Sequence, residues 1–364
     1  MNTKWLTLTF LFGIFGLSMS ESLAQAHLAT AKSVQVYAHR GGRAFSPENT
    51  LPAYESSLKI GTDWLDMDIV MTRDGEILVA HDLILNPNLV QDQSGQFLAP
   101  SLDFILKEPA QAQAEYIQKY LIKKLTLSEL KAFTVGHLNR NSSYAKYFPE
   151  QVSIDGVTMP TLREVIQKMN RATDARIGFQ IEMKTDPLHP EWGADPEVFA
   201  EALYKILTEE GILDRAEIQA FDFRCLVALK KLDPKVKTAF LTSRENEPNG
   251  NDDFFNNDPK LAGRWTGGPL VKDYGNSIPK MVKALGGYAW EPEDAELTEE
   301  SLLEAKSLGL KVVTWTYTEK LKTAFDPELV AKMIQWGVDG IITDDPGRLI
   351  SMLAARGLGV PRRY

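Results

Sequence analysis

Cysteine is nearly absent. Cys225 is the only one among 364 residues, so no intrachain disulfide can form and the fold must be held by its core. Positive charge is scarce as well: 40 Lys and Arg against 49 Asp and Glu give a net charge of −9. That balance excludes a broad cationic surface, and with it nucleic acid as an expected partner. No long apolar run follows the N-terminal one, so nothing further along reads as a membrane span. Internal repeats and low-complexity tracts are missing too. What is present is ordinary globular composition, with 44% hydrophobic and 24% charged residues. A chain of this size buries a substantial core, as one large domain or two smaller ones.

The first residues read as a targeting segment. Lys4 precedes an apolar run from Trp5 to Met19, and Ala24-Gln25-Ala26 supplies the small-x-small pattern of a cleavage site. Residues 1–26 are therefore expected to be a secretory signal, leaving a mature chain of 27–364 in a bacterial periplasm or secreted, with no stable membrane insertion. Cys225 lies in the helical-looking run Phe223–Leu229 and is expected to be a buried, inert thiol.

Beyond residue 33, short apolar runs alternate with segments of helical period. Strands are expected at 34–38, 64–70, 76–80, 177–183, 216–221, 236–241, 287–290, 311–316 and 338–343, with helices between most of them, such as 50–60 capped by Thr50. About eight alternations imply parallel strands with crossover helices, hence an α/β fold of the closed (β/α)₈ TIM-barrel type. No Gly-x-Gly-x-x-Gly follows the first strand, which weakens the open dinucleotide-binding alternative. The stretch 83–160 breaks the rhythm and reads as a subdomain inserted after the second strand.

The chemistry-bearing residues fall at the expected strand ends. His39 and Arg40 follow the first strand, Asp66 and Asp68 lie within or at the end of the second, His81 and Asp82 follow the short third run, and Glu182 and Lys184, Gln219, Trp315 and Asp344 end later ones. In a parallel barrel these ends share one rim. Asp66 and Asp68 point to one side of an extended segment; with Glu182 they make three carboxylates that repel unless a cation lies between them. All-oxygen ligation suits calcium or magnesium better than zinc. The bland alternative is that Asp66 or Asp68 pairs with Arg73. His39 and His81 can each hold or release a proton near neutral pH, and Arg40 and Lys184 suit a phosphate anion. Two proton carriers, two cations and an acid cluster describe phosphodiester hydrolysis.

His39-Arg40-Gly41-Gly42, Pro47-Glu48-Asn49-Thr50, Asp66-x-Asp68, Thr72-Arg73-Asp74-Gly75 and His81-Asp82 resemble the opening of the glycerophosphodiester phosphodiesterase family. The likeness continues through Leu125–Leu130, Met159-Pro160-Thr161-Leu162, Ile181-Glu182-Met183-Lys184, Thr314-Trp315-Thr316 and Gly337–Asp344. The resemblance implies a barrel enzyme that uses Ca²⁺ or Mg²⁺ to cleave a small glycerophosphodiester into an alcohol and glycerol 3-phosphate. It implies His39 and His81 as the catalytic pair, Asp66, Asp68 and Glu182 as metal ligands, and Arg40, Lys184, Gln219 and Trp315 as substrate contacts. Two departures stand out: Asp66 replaces the family's usual Glu, one methylene longer, and Ala220 stands where the family often has Ser. The rival readings are a related barrel enzyme acting on lysophospholipids or a glycerophosphate polymer, and an exported protein that binds glycerophosphodiesters without cleaving them.

Overall fold

A computed structural model describes residues 33–173, 177–243, 263–316 and 318–361; the expected signal at 1–26 lies outside them. Each expected strand is present within two residues of its expected limits. They are β1 (Gln35–Ala38), β2 (Trp64–Met71), β3 (Ile77–Val79), β4 (Gly178–Met183), β5 (Ala216–Ala220), β6 (Lys237–Thr242), β7 (Ala289–Pro292), β8 (Lys311–Trp315) and β9 (Gly340–Thr343). All but β3 pair in parallel in the order β1-β2-β4-β5-β6-β7-β8-β9, and β9 returns to β1. The sheet therefore closes into the TIM barrel that the alternation implied. β3 lies outside that count, turned back antiparallel along the end of β2.

Helices α1 (Leu51–Ile60), α2 (Leu162–Ala172), α3 (Pro196–Glu209), α4 (Phe223–Leu232), α5 (Ile278–Ala284), α6 (Glu299–Ser307), α7 (Pro327–Trp336) and α8 (Pro346–Ala355) alternate with the barrel strands. Their starts are set locally. Thr50 accepts from the Ala53 amide at the head of α1, Asp195, Asp222, Asp326 and Asp345 cap α3, α4, α7 and α8, and Thr161 with Glu164 forms a capping box on α2. Between helices and strands lies the main core, where Phe199, Leu203, Phe223, Cys225, Leu226 and Phe240 are fully buried. Each large apolar side chain there contributes about 1.5–3 kcal/mol. No helix among the described residues is long and apolar enough to cross a membrane.

The barrel is plugged at its N-terminal end. Tyr37 stacks on Trp64 with ring centroids 5.3 Å apart, and the Lys311 ammonium lies 4.8 Å above the Trp64 ring and 2.8 Å from Glu217. Glycine makes the room, since a Cβ on Gly178 would meet the Trp64 ring at 2.2 Å. Gly178→Ala should lower stability by about 1–3 kcal/mol through overpacking, read as a reduced melting temperature. With this end filled, the interior is reached from the C-terminal rim.

Residues between β3 and α2 pack over that rim. Val70 and Leu78 of the β2–β3 hairpin share a small core with Leu85, Val90, Ile122, Leu130 and Met159, so the segment is anchored to the strand that carries the two aspartates. A second anchor joins it to the loop after β1: the Gln151 amide donates to the Arg43 carbonyl at 2.8 Å and the Val152 N–H to the Phe45 carbonyl at 3.0 Å.

Candidate functional site

A sharp turn after β1 starts the site. Arg40 (φ 50°), Gly41 (φ 81°) and Gly42 (φ 80°) are all left-handed, a conformation that costs a non-glycine residue about 1–3 kcal/mol. A Cβ on Gly41 would also meet the Ala53 side chain at 2.8 Å, so α1 packs directly on this turn. The turn aims the Arg40 N–H at Asp66 Oδ2, 3.3 Å away.

The three acids come from adjacent strands. Asp68 and Glu182 are direct partners in the β2–β4 register, and Asp66 lies one pleat below Asp68 on the same face. All three are buried. Glu182 accepts from Lys184 at 2.7 Å, and the same ammonium is 3.8 Å from Asp68. Asp68 accepts from Asn49 at 2.8 Å and lies 3.4 Å from Arg40 Nε. Gln219 donates to Asp66. Arg73 takes no part: its guanidinium reaches Glu129 at 3.0 Å on the surface. The pairing of Asp66 or Asp68 with Arg73 is thereby set aside.

Electrostatics separates the three. Burial, with Asp68 and Glu182 close by, pushes Asp66 well above the usual carboxylate range. Glu182 is also raised, by burial and Asp68 against the pull of Lys184. Burial alone would raise Asp68 too, but His81, Arg40 and Lys184 hold it far below that range. Four carboxyl groups, those of Glu48, Asp66, Asp68 and Glu182, lie close to Arg40 and Lys184, and Asp66 and Glu182 are the two whose proton affinity rises in this crowding. The Gln219 carbonyl oxygen beside Asp66 is buried with no hydrogen-bond donor. A crowd of carboxyl oxygens and an orphaned acceptor fit one divalent cation of the oxygen-preferring kind. As placed, however, the side chains are turned toward their lysine, arginine and amide partners, and no three of the described residues form a ready-made metal cage.

Both histidines are oriented through Nδ1 by a carboxylate. His39 Nδ1 is 2.5 Å from Asp344 Oδ1, and His81 Nδ1 is 3.0 Å from Asp82 Oδ1. With Nδ1–H donated, Nε2 of each ring is left as the exchanging nitrogen, an acceptor when the ring is neutral and a donor when it is cationic. Burial is the largest influence on His39 and lowers its proton affinity; Asp344 pulls it back up, while Arg43 and Arg40 push it down, and the net shift is downward. Asp344, despite burial, is held far below the carboxylate range by Arg43 and His39, and Asp82 is brought to about 2 by His81 and Asn86. Arg40 interacts electrostatically with both His39 and Asp82.

The remaining sequence-selected residues divide. Lys184 stands at the rim beside the acids, its ammonium 5.9 Å from the Phe221 ring centre. Trp315 is half-buried, with its ring edge-on to Phe221 at 5.6 Å and its N–H on the Glu291 carbonyl at 3.1 Å. Arg40 is largely buried, with Nη1 2.6 Å from Glu48. Gln219 is buried beside the acid cluster, with its amide on Asp66. Cys225 is buried, as its helix pattern implied, and burial raises its thiol out of the reactive range.

Five partners were not assigned roles from sequence: Arg43, Glu48, Asn49, Asp82 and Asp344. Glu48 and Asn49 sit inside a motif that sequence singled out, and Asn49 (φ 57°) turns its amide onto Asp68 while receiving the Tyr54 hydroxyl at 2.8 Å. Asp344 was visible only as an acid at a strand end. A mostly apolar cavity of about 40 Å³ opens beside His81, walled by Val79, Leu85, Val90 and Met159 with Glu48 and Asp82.

Residues 39–348 match the model of the glycerophosphoryl diester phosphodiesterase family. A glycerophosphodiester phosphodiesterase of Caldanaerobacter subterraneus is 26% identical over 88% of the chain and 98% of its own length. Among solved structures, a candidate glycerophosphoryl diester phosphodiesterase from Silicibacter pomeroyi superposes with a TM-score of 0.73 at 28% identity, covering 90% of this chain and 95% of that one. An Oleispira antarctica phosphodiesterase, solved with its product sn-glycerol-3-phosphate, shares the fold with a TM-score of 0.58 at 19% identity, over 88% of this chain and 97% of that one.

Proposed function

The chain belongs to the glycerophosphoryl diester phosphodiesterase family, and from that membership we propose that it hydrolyses small soluble glycerophosphodiesters, such as glycerophosphocholine, to an alcohol and sn-glycerol 3-phosphate. The observation that carries the mechanism is the pair of Asp-backed imidazoles, His39 with Asp344 and His81 with Asp82, beside one cluster of acids and cations. Binding alone needs no such pair, which disfavours the non-catalytic reading.

Arg40 and Lys184 bind the phosphate anion, and the glycerol carbons lie against Trp315. His39 acts first as base: its lowered proton affinity keeps Nε2 unprotonated at neutral pH. It removes the proton of the glycerol hydroxyl next to the phosphoester, and that oxygen attacks phosphorus. His81 Nε2 then protonates the departing alcohol. In the second half the roles exchange, and water opens the cyclic phosphate. Asp66, Asp68 and Glu182 would hold a calcium or magnesium ion, which when bound supplies Lewis-acid stabilisation of charge on the phosphoryl group.

A free-enzyme base with reduced proton affinity loses activity only at lower pH. The acid limb of kcat/KM should therefore fall below the ordinary histidine value of about 6.5, and a pH–rate profile of the purified enzyme checks this. Export to the periplasm, from the reading of residues 1–26, belongs to the same proposal.

Substrate choice separates the small-diester reading from its rivals. The test is a panel of glycerophosphocholine, glycerophosphoethanolamine, glycerophosphoglycerol and lysophosphatidylcholine. Release of glycerol 3-phosphate from the soluble diesters is expected; turnover confined to the acylated substrate would select the lipid enzyme, and binding without turnover the solute-binding protein.

A further inference from the structure

One residue of the segment between β3 and α2 reaches into the catalytic machinery. The Tyr144 hydroxyl accepts from Arg43 Nη1 at 2.8 Å and donates to Glu48. Its direction is forced, because a guanidinium can only donate and an ionised carboxylate only accept. Arg43 Nε in turn donates to Asp344 at 2.7 Å, on the same Oδ1 that orients His39. Glu48 uses its other oxygen to hold Arg40 at 2.6 Å. A continuous hydrogen-bonded line thus runs His39–Asp344–Arg43–Tyr144–Glu48–Arg40. Tyr144 is its only member from outside the β1 loop, the strand ends and α1's approach. The ring is itself fixed, edge-on to Phe148 at 5.0 Å, with the Arg43 guanidinium 4.8 Å from the Phe148 ring centre.

We propose that Tyr144 is a positioning residue for the hydrolysis: through Glu48 it sets the Arg40 guanidinium for the phosphate, and through Arg43 and Asp344 it sets His39. The inserted segment then does more than cover the rim, since it completes the site. The inference rests on the roles given to Arg40 and His39 above. Tyr144→Phe keeps the ring and removes the one atom that joins the two arms. The hydrogen bond from Arg43 Nη1 and the charge-assisted hydrogen bond to Glu48 are then both lost.

The test measures steady-state kinetics, inhibition by inorganic phosphate and the melting temperature for wild type, Tyr144→Phe, Glu48→Gln, their double variant and Tyr147→Phe. Tyr147 lies on the same short helical turn but its hydroxyl faces Lys322 at 3.4 Å, so it controls for effects on the segment alone. Tyr144→Phe should lower kcat about tenfold or more and weaken phosphate inhibition severalfold, and the double variant should lose less than the product of the two single losses, because both variants break the Arg40 arm. Tyr147→Phe should leave both readouts unchanged. If Tyr144→Phe does not fold, Glu48→Gln breaks the same line and must show both losses. Unchanged kcat and phosphate inhibition in Tyr144→Phe, or fully multiplicative losses in the double variant, would overturn the proposal. His39→Ala, measured alongside, separates the two levels: if it retains turnover, the acid–base reading fails whatever Tyr144→Phe does.

Discussion

His39→Ala and His81→Ala should each lower glycerophosphocholine turnover by about 10²–10⁴, the range a positioned acid or base typically supplies, with the fold intact. The structure gives the reason that neither can substitute for the other. Each imidazole is fixed by its own carboxylate, Asp344 at 2.5 Å and Asp82 at 3.0 Å, and each therefore presents one defined nitrogen. Replacing Asp344 by Asn would leave His39 with the wrong tautomer available, so a large part of the same loss is expected there. Kinetics under saturating cation, in protein free of host phosphodiesterase, measures all three. Near-normal turnover in either histidine variant would remove it from the mechanism.

The second large effect concerns the acids. A chelator should reduce turnover to background, and calcium or magnesium should restore it. The same residues predict an opposite effect on stability. Asp66 is buried beside Asp68 and Glu182, and its carboxyl is pushed well up by that burial and repulsion, so the cluster costs stability when no cation answers it. Asp66→Asn removes a charge from the cluster and should melt at or above the wild-type temperature in chelator while being inactive with cation. A cation at one hundred times its dissociation constant should stabilise wild type by about 2.7 kcal/mol and the variant by much less. Thermal melts with and without cation read both. Full activity in chelator would show that Asp66, Asp68 and Glu182 serve the site through their lysine, arginine and amide contacts alone.

The barrel was legible because parallel strands covered on both faces read as short apolar runs. β4, for example, is buried at every position from Gly178 to Met183. The acids and histidines were legible because they lie in those runs or directly after them, and a closed barrel brings strand ends together. The electrostatic partners were not. Asp344 is 305 residues from His39 and Tyr144 is 96 from Glu48; nothing in either neighbourhood marks the pairing until the strands are closed. The partner of Gln219 was equally hidden: its place in a strand suggests the rim, but only the packing of the closed barrel sets its amide against Asp66. The polar plug of Tyr37, Glu217 and Lys311 was hidden as well, because its members come from three different strands.

The most direct measurement follows the phosphorus itself. In ³¹P NMR of purified enzyme with glycerophosphocholine and calcium, the diester signal should give way to sn-glycerol 3-phosphate, with a cyclic glycerol phosphate building up between them in enzyme slowed at the second step. Release of phosphocholine and glycerol, or an unchanged diester, would contradict attack by the neighbouring glycerol hydroxyl under the control of His39 and His81.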